Sequence, residues 1–239
     1  MVGVILFRAQ PFHRGHLNMV QKAFDDCATN DCDLYIFVGS ADKSGTVRNP
    51  LPIDFRLMLL EGALHENFST EQMKRIHIFP LADMTDESDN SHGWGRYLYI
   101  KMFSKTKDSD MTIYYSDDPR IMLGWFAQDE RWLLRFKFLD RFEGISATLV
   151  RQAFQMENGD EIVRKLVPSF VFNYREEIRN YLIQKQGSFN HIGKVATKRF
   201  SKQKIENKIK DLEKQKQIEA SLVREQQTLI DKKQLFEVL

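Results

Sequence analysis

Apolar positions recur along this chain in two alternating rhythms. Continuous apolar runs rich in β-branched and aromatic residues occur at 2–7 and 34–38, the signature of strands covered on both faces, and three further short strands are predicted at 75–80, 112–116 and 132–138. Between them apolar residues recur at three and four positions, as on one face of a helix. Leu17, Val20, Ala23 and Phe24 mark a helix over 15–28, and Phe55, Leu59 and Ala63, with Met58 and Gly62 beside them, mark one over 52–66. Helices are also predicted over 94–103, 118–127 and 146–156, and a short one over 160–166. A last helix starts at Pro168, with Val171, Tyr174, Ile178 and Leu182 on one side. Strands alternating with helices make βαβ units with right-handed crossovers, so the predicted class is α/β with a doubly wound parallel sheet. Such sheets bind ligands beyond the carboxyl ends of their strands.

The pattern changes after Gly187-Ser188 and Gly193. Residues 201–239 are rich in Lys, Gln and Glu, and Ile205, Ile209 and Leu212 make a single heptad-like step. Sustained heptads, which a coiled coil requires, are absent. The predicted organisation is a globular part over 1–185 and a basic, helical C-terminal extension over 186–239. Charge supports this division: from Gln184 onward there are 13 Lys+Arg against 7 Asp+Glu, leaving 22 basic and 26 acidic residues before it. The first part therefore lacks the charge of a general nucleic-acid binder, whereas the tail suits an acidic partner; a nucleic-acid partner is not the expected one, RNA binding by the tail being a third alternative.

With 239 residues, 42% of them hydrophobic, the chain can bury a sizeable core. No apolar run reaches the length of a membrane span, and no basic segment followed by an apolar core marks a signal peptide. Cys27 and Cys32, four residues between them, lack a second ligand pair. A reducing, cytoplasmic setting is the simpler reading.

Two stretches carry candidate chemistry. The first strand runs into Arg8-Ala9-Gln10-Pro11-Phe12-His13-Arg14-Gly15-His16, with the helix opening near the second histidine. A helix N-terminus presents free N–H groups and partial positive charge to an anion. Gly15 lets a bulky ligand approach the backbone, and Arg8 and two imidazoles supply further donors. The second stretch, Ile145-Ser146-Ala147-Thr148-Leu149-Val150-Arg151, sets two hydroxyls and an arginine at another helix opening. It suits phosphate too, although Ser146 and Thr148 also fit plain helix capping.

The first stretch resembles the His-x-Gly-His signature of the nucleotidyltransferase superfamily, and the second its Ile-Ser-x-Thr-x-Ile/Val-Arg signature. Gly39-Ser40-Ala41, Arg48-Asn49-Pro50-Leu51, Arg56, Pro80, Asp83, Trp94 and Tyr115-Ser116-Asp117-Asp118-Pro119 are similar to motifs of the archaeal-type nicotinamide mononucleotide (NMN) adenylyltransferases. The resemblance covers about residues 1–185. Phe7 stands where the family usually has glycine, Phe55 replaces an acidic residue, and Asp117-Asp118 replaces Gly-Asn. The resemblance implies a Rossmann-like fold and transfer of AMP from ATP to NMN, giving NAD and pyrophosphate. It also implies Mg²⁺ accompanying ATP, no protein-built metal centre, and a homo-oligomer. His16, His13 and Arg8 would be catalytic. Phe7, Gln10, Arg48, Ser116, Ser146, Thr148 and Arg151 would bind ATP, and Ser40, Asp83, Trp94 and Asp117 the acceptor. Nicotinate mononucleotide or phosphopantetheine as acceptor, CTP as donor, and a non-catalytic nucleotide sensor are the alternatives. Trp125 and Trp132 read as core residues, and Lys43 as a solvated one.

Overall fold

The computed structural model describes residues 1–84, 92–116, 118–140, 142 and 144–186. By internal contacts the chain divides into Met1–Lys194 and Val195–Leu239, and the described residues all belong to the first unit. Apart from Gln186, the predicted extension lies outside them.

Strand β1 (Val2–Phe7) is followed by α1 (Arg14–Thr29), β2 (Leu34–Val38), α2 (Ile53–His65), α3 (Thr70–Met73) and β3 (Ile76–Pro80). Then come α4 (His92–Thr106), β4 (Met111–Tyr115), α5 (Pro119–Gly124), α6 (Gln128–Trp132) and β5 (Leu134–Phe138). Helices α7 (Ala147–Phe154), α8 (Asp160–Leu166), α9 (Ser169–Asn173) and α10 (Arg175–Gln186) complete the described fold. The strands form one parallel sheet in the order β3-β2-β1-β4-β5. The chain walks outward from β1 to β3, then returns to place β4 on β1's other side. That reversal opens a crevice beyond the carboxyl ends of β1 and β4.

Both faces of the sheet are covered, as the unbroken apolar runs predict. Val2 and Val4 point into a core with Trp94, Leu98 and Met102 of α4 and with Met122 and Phe126. Gly3 faces α1, where a Cβ would lie 2.3 Å from the Cys27 Sγ. The missing side chain lets α1 lie close on the central strand. Val4, Ile5, Leu34, Ile36 and Val38 are fully buried. The parallel sheet, the helices on both faces and the α/β class all follow the sequence expectation.

Three local features depart from it. Helix α3 is held by a capping box between Ser69 and Gln72, a Ser-x-x-Gln signal present in the sequence but followed by too few apolar residues to stand out. Strand β5 starts at Leu134 because α6 claims the residues before it. The backbone N–H of Ala127 donates to Glu130 at 3.1 Å and starts that helix. Trp132 then falls on its outer side and is 82% exposed, so its expected place in the core is wrong; Trp125 does pack on the core, partly buried. The helix predicted from Pro168 breaks into α9 and α10 at Tyr174 (φ −97°, ψ 22°), yet Val171, Ile178 and Leu182 are buried as their spacing predicts. Among the described residues no helix is long and apolar enough to cross a membrane.

Candidate active site

Helix α1 begins where β1 has delivered the chain to the crevice. His13 is its N-cap, with extended backbone (φ −145°, ψ 171°), and its Nδ1 accepts the His16 backbone N–H at 3.3 Å. An imidazole that accepts at Nδ1 carries its proton on Nε2, so the His13 tautomer follows from this cap. The His16 ring stacks on His13 with centroids 3.7 Å apart. Phe7 at 4.7 Å and Phe12 at 5.6 Å complete its surroundings. Phe7 is thus a wall against His16 as well as the end of β1. The His16 Nδ1 is buried and has no hydrogen-bond partner. Burial pushes the His16 pKa down to about 3, so the ring is neutral at physiological pH.

That neutrality has a measurable consequence for stability. The unfolded chain takes up a proton on His16 below about pH 6.5, and the folded chain does so only near the depressed value. Between those limits the unfolded state binds more protons, so stability falls as pH falls. Denaturant unfolding of wild type and His16→Asn at pH 7.5, 6.0 and 5.0 measures the term by difference. Wild type is expected to lose stability faster, by at most about 1.4 kcal/mol per pH unit; parallel curves would contradict a buried neutral ring.

The second helix N-terminus lies against the first. Ser146 caps α7, its Oγ accepting the Leu149 N–H at 3.3 Å. A Cβ on Gly15 would lie 3.0 Å from the His13 ring and 3.6 Å from the Ile145 carbonyl oxygen. The first distance is tight and the second an ordinary contact, so Gly15 leaves room for the His13 ring and lies directly against the second motif, some 130 residues on in sequence. From α7, the Arg151 guanidinium donates to the Gln10 carbonyl at 2.8 Å and to the Thr148 Oγ at 3.3 Å. Thr148 is exposed and Ser146 half-buried. Burial and the charge of Arg8 both lower the Arg151 pKa.

The loop after β2 is tied to the loop after β1. The buried Gln10 side chain accepts the Leu51 N–H at 2.9 Å and donates to the Leu51 carbonyl at 3.1 Å. Both ends of its amide are therefore engaged with protein. Ser40 donates to Asp83 at 3.1 Å, and Lys43 pairs with the other oxygen of Asp83 at 3.1 Å. Lys43 is thus ion-paired and largely covered, not solvated. The Asp83 N–H donates to Asp42 at 2.8 Å, and Tyr97 of α4 donates to the Ala82 carbonyl at 3.0 Å. Trp94 is buried among core residues, stacked near Tyr97 and edge-on to Trp125. Ser116 follows β4 with its Oγ 4.0 Å from the Met19 sulfur, Arg48 is exposed in the loop before α2, and Asp117 lies outside the described residues.

The structure thus gathers Phe7, Arg8, Gln10, His13, His16, Ser146, Thr148 and Arg151 around the paired helix N-termini, with Ser40 and Asp83 joined to one another beside them. Arg56 is a residue whose part the motif reading missed. It lies on the buried stripe of α2 with Leu59, Leu60 and Ala63, at helical spacings of three and four, and is itself fully buried. Its place in the motif resemblance marked the position, and a lone cation on an apolar stripe was the signal for its burial. Among the described residues no group of three or more His, Cys, Asp or Glu is placed to hold a metal ion.

Known proteins extend the comparison. The nicotinamide-nucleotide adenylyltransferase of Sulfurisphaera tokodaii is 28% identical over 175 residues, 72% of this chain and 88% of the relative. That of Haloarcula marismortui is 25% identical over 178 residues, 74% of this chain and 82% of the relative. A bifunctional NMN adenylyltransferase/ADP-ribose pyrophosphatase from Francisella tularensis shares the fold, with a TM-score of 0.57 at 19% identity. The match covers 78% of this chain and about half of that one (53%). Residues 8–153, which include both helix N-termini and the arginines between and beside them, match the cytidylyltransferase-like family, and the chain belongs to that family.

Proposed function

We propose that this chain is an NMN adenylyltransferase: it transfers AMP from ATP to NMN and releases pyrophosphate, with NAD as product. The observation that carries the reading is the neighbourhood of the orphaned His16 ring. Two helix N-termini meet there, and burial first, with the charge of Arg8 adding to it, lowers the pKa of both Arg151 and Arg56. Like charges held together in partly buried positions are relieved by a polyanion. The relatives from Sulfurisphaera and Haloarcula, matched over more than two thirds of both chains, supply the acceptor.

The reaction asks little covalent chemistry of the protein. The NMN phosphate is already an anionic nucleophile at neutral pH. It attacks the ATP α-phosphorus in line, a new P–O bond forms, and the bond to the β-phosphate oxygen breaks as pyrophosphate leaves. Catalysis is then positioning and charge stabilisation. In this reading His16 donates to the α-phosphate oxygens as charge builds there, and His13 adds its Nε2–H. Arg8, Arg48 and Arg151 neutralise the triphosphate. The α7 amides, Ser146 and Thr148 hold its far end, and Gln10 fixes the loop they face. Mg²⁺ arrives as part of the MgATP substrate, bound by phosphate oxygens and water. In this reading Ser116 serves ATP, and Ser40, Asp83, Trp94 and Asp117 serve the acceptor. We assign this activity to residues 1–185 and an accessory role to the basic segment 186–239.

Pyrophosphate release from MgATP, measured with NMN, nicotinate mononucleotide and phosphopantetheine in parallel, tests the reading. NAD formation with NMN is the expected result. Turnover only with another acceptor would keep the transferase and discard the NMN assignment. ATP binding without turnover on any acceptor would replace the enzyme with a nucleotide sensor.

A further inference from the structure

We infer that Arg56 is a positioning residue for the transfer reaction, joining the loop after β1 to the loop after β2 through one guanidinium. Its Nη1 donates to the Arg8 carbonyl at 2.7 Å and to the Gly39 carbonyl at 2.8 Å, and its Nη2 donates to the Ser40 carbonyl at 2.8 Å. Arg8 belongs to the loop assigned to ATP, and Gly39 and Ser40 to the loop that reaches Asp83. One planar fork thus sets the separation of the two loops between which phosphate must meet phosphate.

Two further observations give Arg56 more than a packing role. Ala9 has φ 50° and Ser40 has φ 51°. Both are non-glycine residues in the left-handed region, and each adjoins or carries a carbonyl that Arg56 holds. Such conformations persist only where the surroundings over-determine them, and they cluster at ligand sites. Arg56 is also fully buried, and its hydrogen bonds go to uncharged carbonyls. Its Nε is buried without a partner. Burial lowers its pKa to about 10, where it still carries its charge. Asp83 and Asp42 act on it only at longer range, and Arg8 opposes it. A core built for stability alone would place an apolar side chain here, as at Leu59 and Leu60. Two carbonyl-lined loops with strained backbones, by contrast, require a buried fork of donors.

The inference rests on the transferase reading, so wild type is assayed first and its NAD formation tests that reading by itself. The ratio of variant to wild type then tests Arg56. Arg56→Lys keeps the charge and most of the volume but loses the fork. It is expected to unfold cooperatively, to bind a non-hydrolysable ATP analogue within about threefold of wild type, and to show kcat lowered at least tenfold per folded molecule. The KM for the acceptor is expected to rise as well, because the second loop is released with the first. Arg56→Ala is expected to lose more, with part of its kcat restored by millimolar guanidinium ion entering the vacated site. A purely structural residue would change the melting temperature and leave kcat per folded molecule and both KM values in place. Arg56→Lys with kcat within twofold of wild type overturns the inference. So does failure of the Lys variant to fold.

Discussion

Replacing His16 by alanine is expected to slow pyrophosphate release by roughly 10²–10³-fold, the usual effect of removing one preorganised donor to a charge that develops in the transition state. The ring is already in place before substrate arrives. His13 stacks on one side at 3.7 Å, Phe7 and Phe12 wall the others, and the buried Nδ1 is left without a partner. A buried polar atom left unsatisfied weakens the free protein and is relieved when a ligand completes it. Because the gain is largest as charge builds on the α-phosphate, kcat is expected to carry most of the loss, with the KM for ATP nearly unchanged. The variant is expected to fold, since the substitution removes a buried polar atom that has no partner and leaves the α1 cap accepting the same backbone N–H. A loss below about threefold in a folded variant would remove His16 from the assigned role.

The fold was largely legible because its central strands are buried on both faces. A parallel strand with no solvent side has no alternation to misread, so β1 and β2 have the predicted limits and the class follows from their order. The errors gather where burial is one-sided. Strand β5 is an edge strand in which only Leu134 is buried, and its apolar run continues backward into Trp132, which belongs to a helix. An apolar run shows that residues avoid water, but not which element carries them.

The site was legible at its motifs, which depend on local geometry: a strand, a turn with glycine, a capping residue and a helix. Less legible were the residues that join one motif to another. Nothing local in Gln10 says that its amide is used up on Leu51, or in Lys43 that Asp83 lies 40 residues ahead to pair with it. Trp94 illustrates the same limit. Its aromatic surface is compatible with either a stacking platform or a core residue, and the structure places it among core neighbours with 9% of its surface exposed.

Arg151→Ala tests the joint between the two motifs, and its expected effect falls on ATP. In the free protein the guanidinium bridges the Gln10 carbonyl and Thr148, partly buried and opposed by the charge of Arg8. The arrangement is unfavourable for two cations alone and favourable once a triphosphate lies between them. A hydrogen bond to a charged group contributes about 1.5–3 kcal/mol, so kcat/KM for ATP is expected to fall roughly ten- to a hundredfold. Arg151→Lys keeps the charge without the fork and is expected to fall between alanine and wild type. Stability separates this role from a structural one. Without nucleotide, loss of the Gln10 contact is partly offset by relief of the Arg8 repulsion, so the melting temperature is expected to move little. At the same excess of ATP, wild type is expected to gain more in melting temperature than Arg151→Ala, because the stabilisation by a ligand grows with the logarithm of its concentration over its Kd. Equal gains in the two proteins would place Arg151 outside the triphosphate site and leave it as a tie between α7 and the loop after β1.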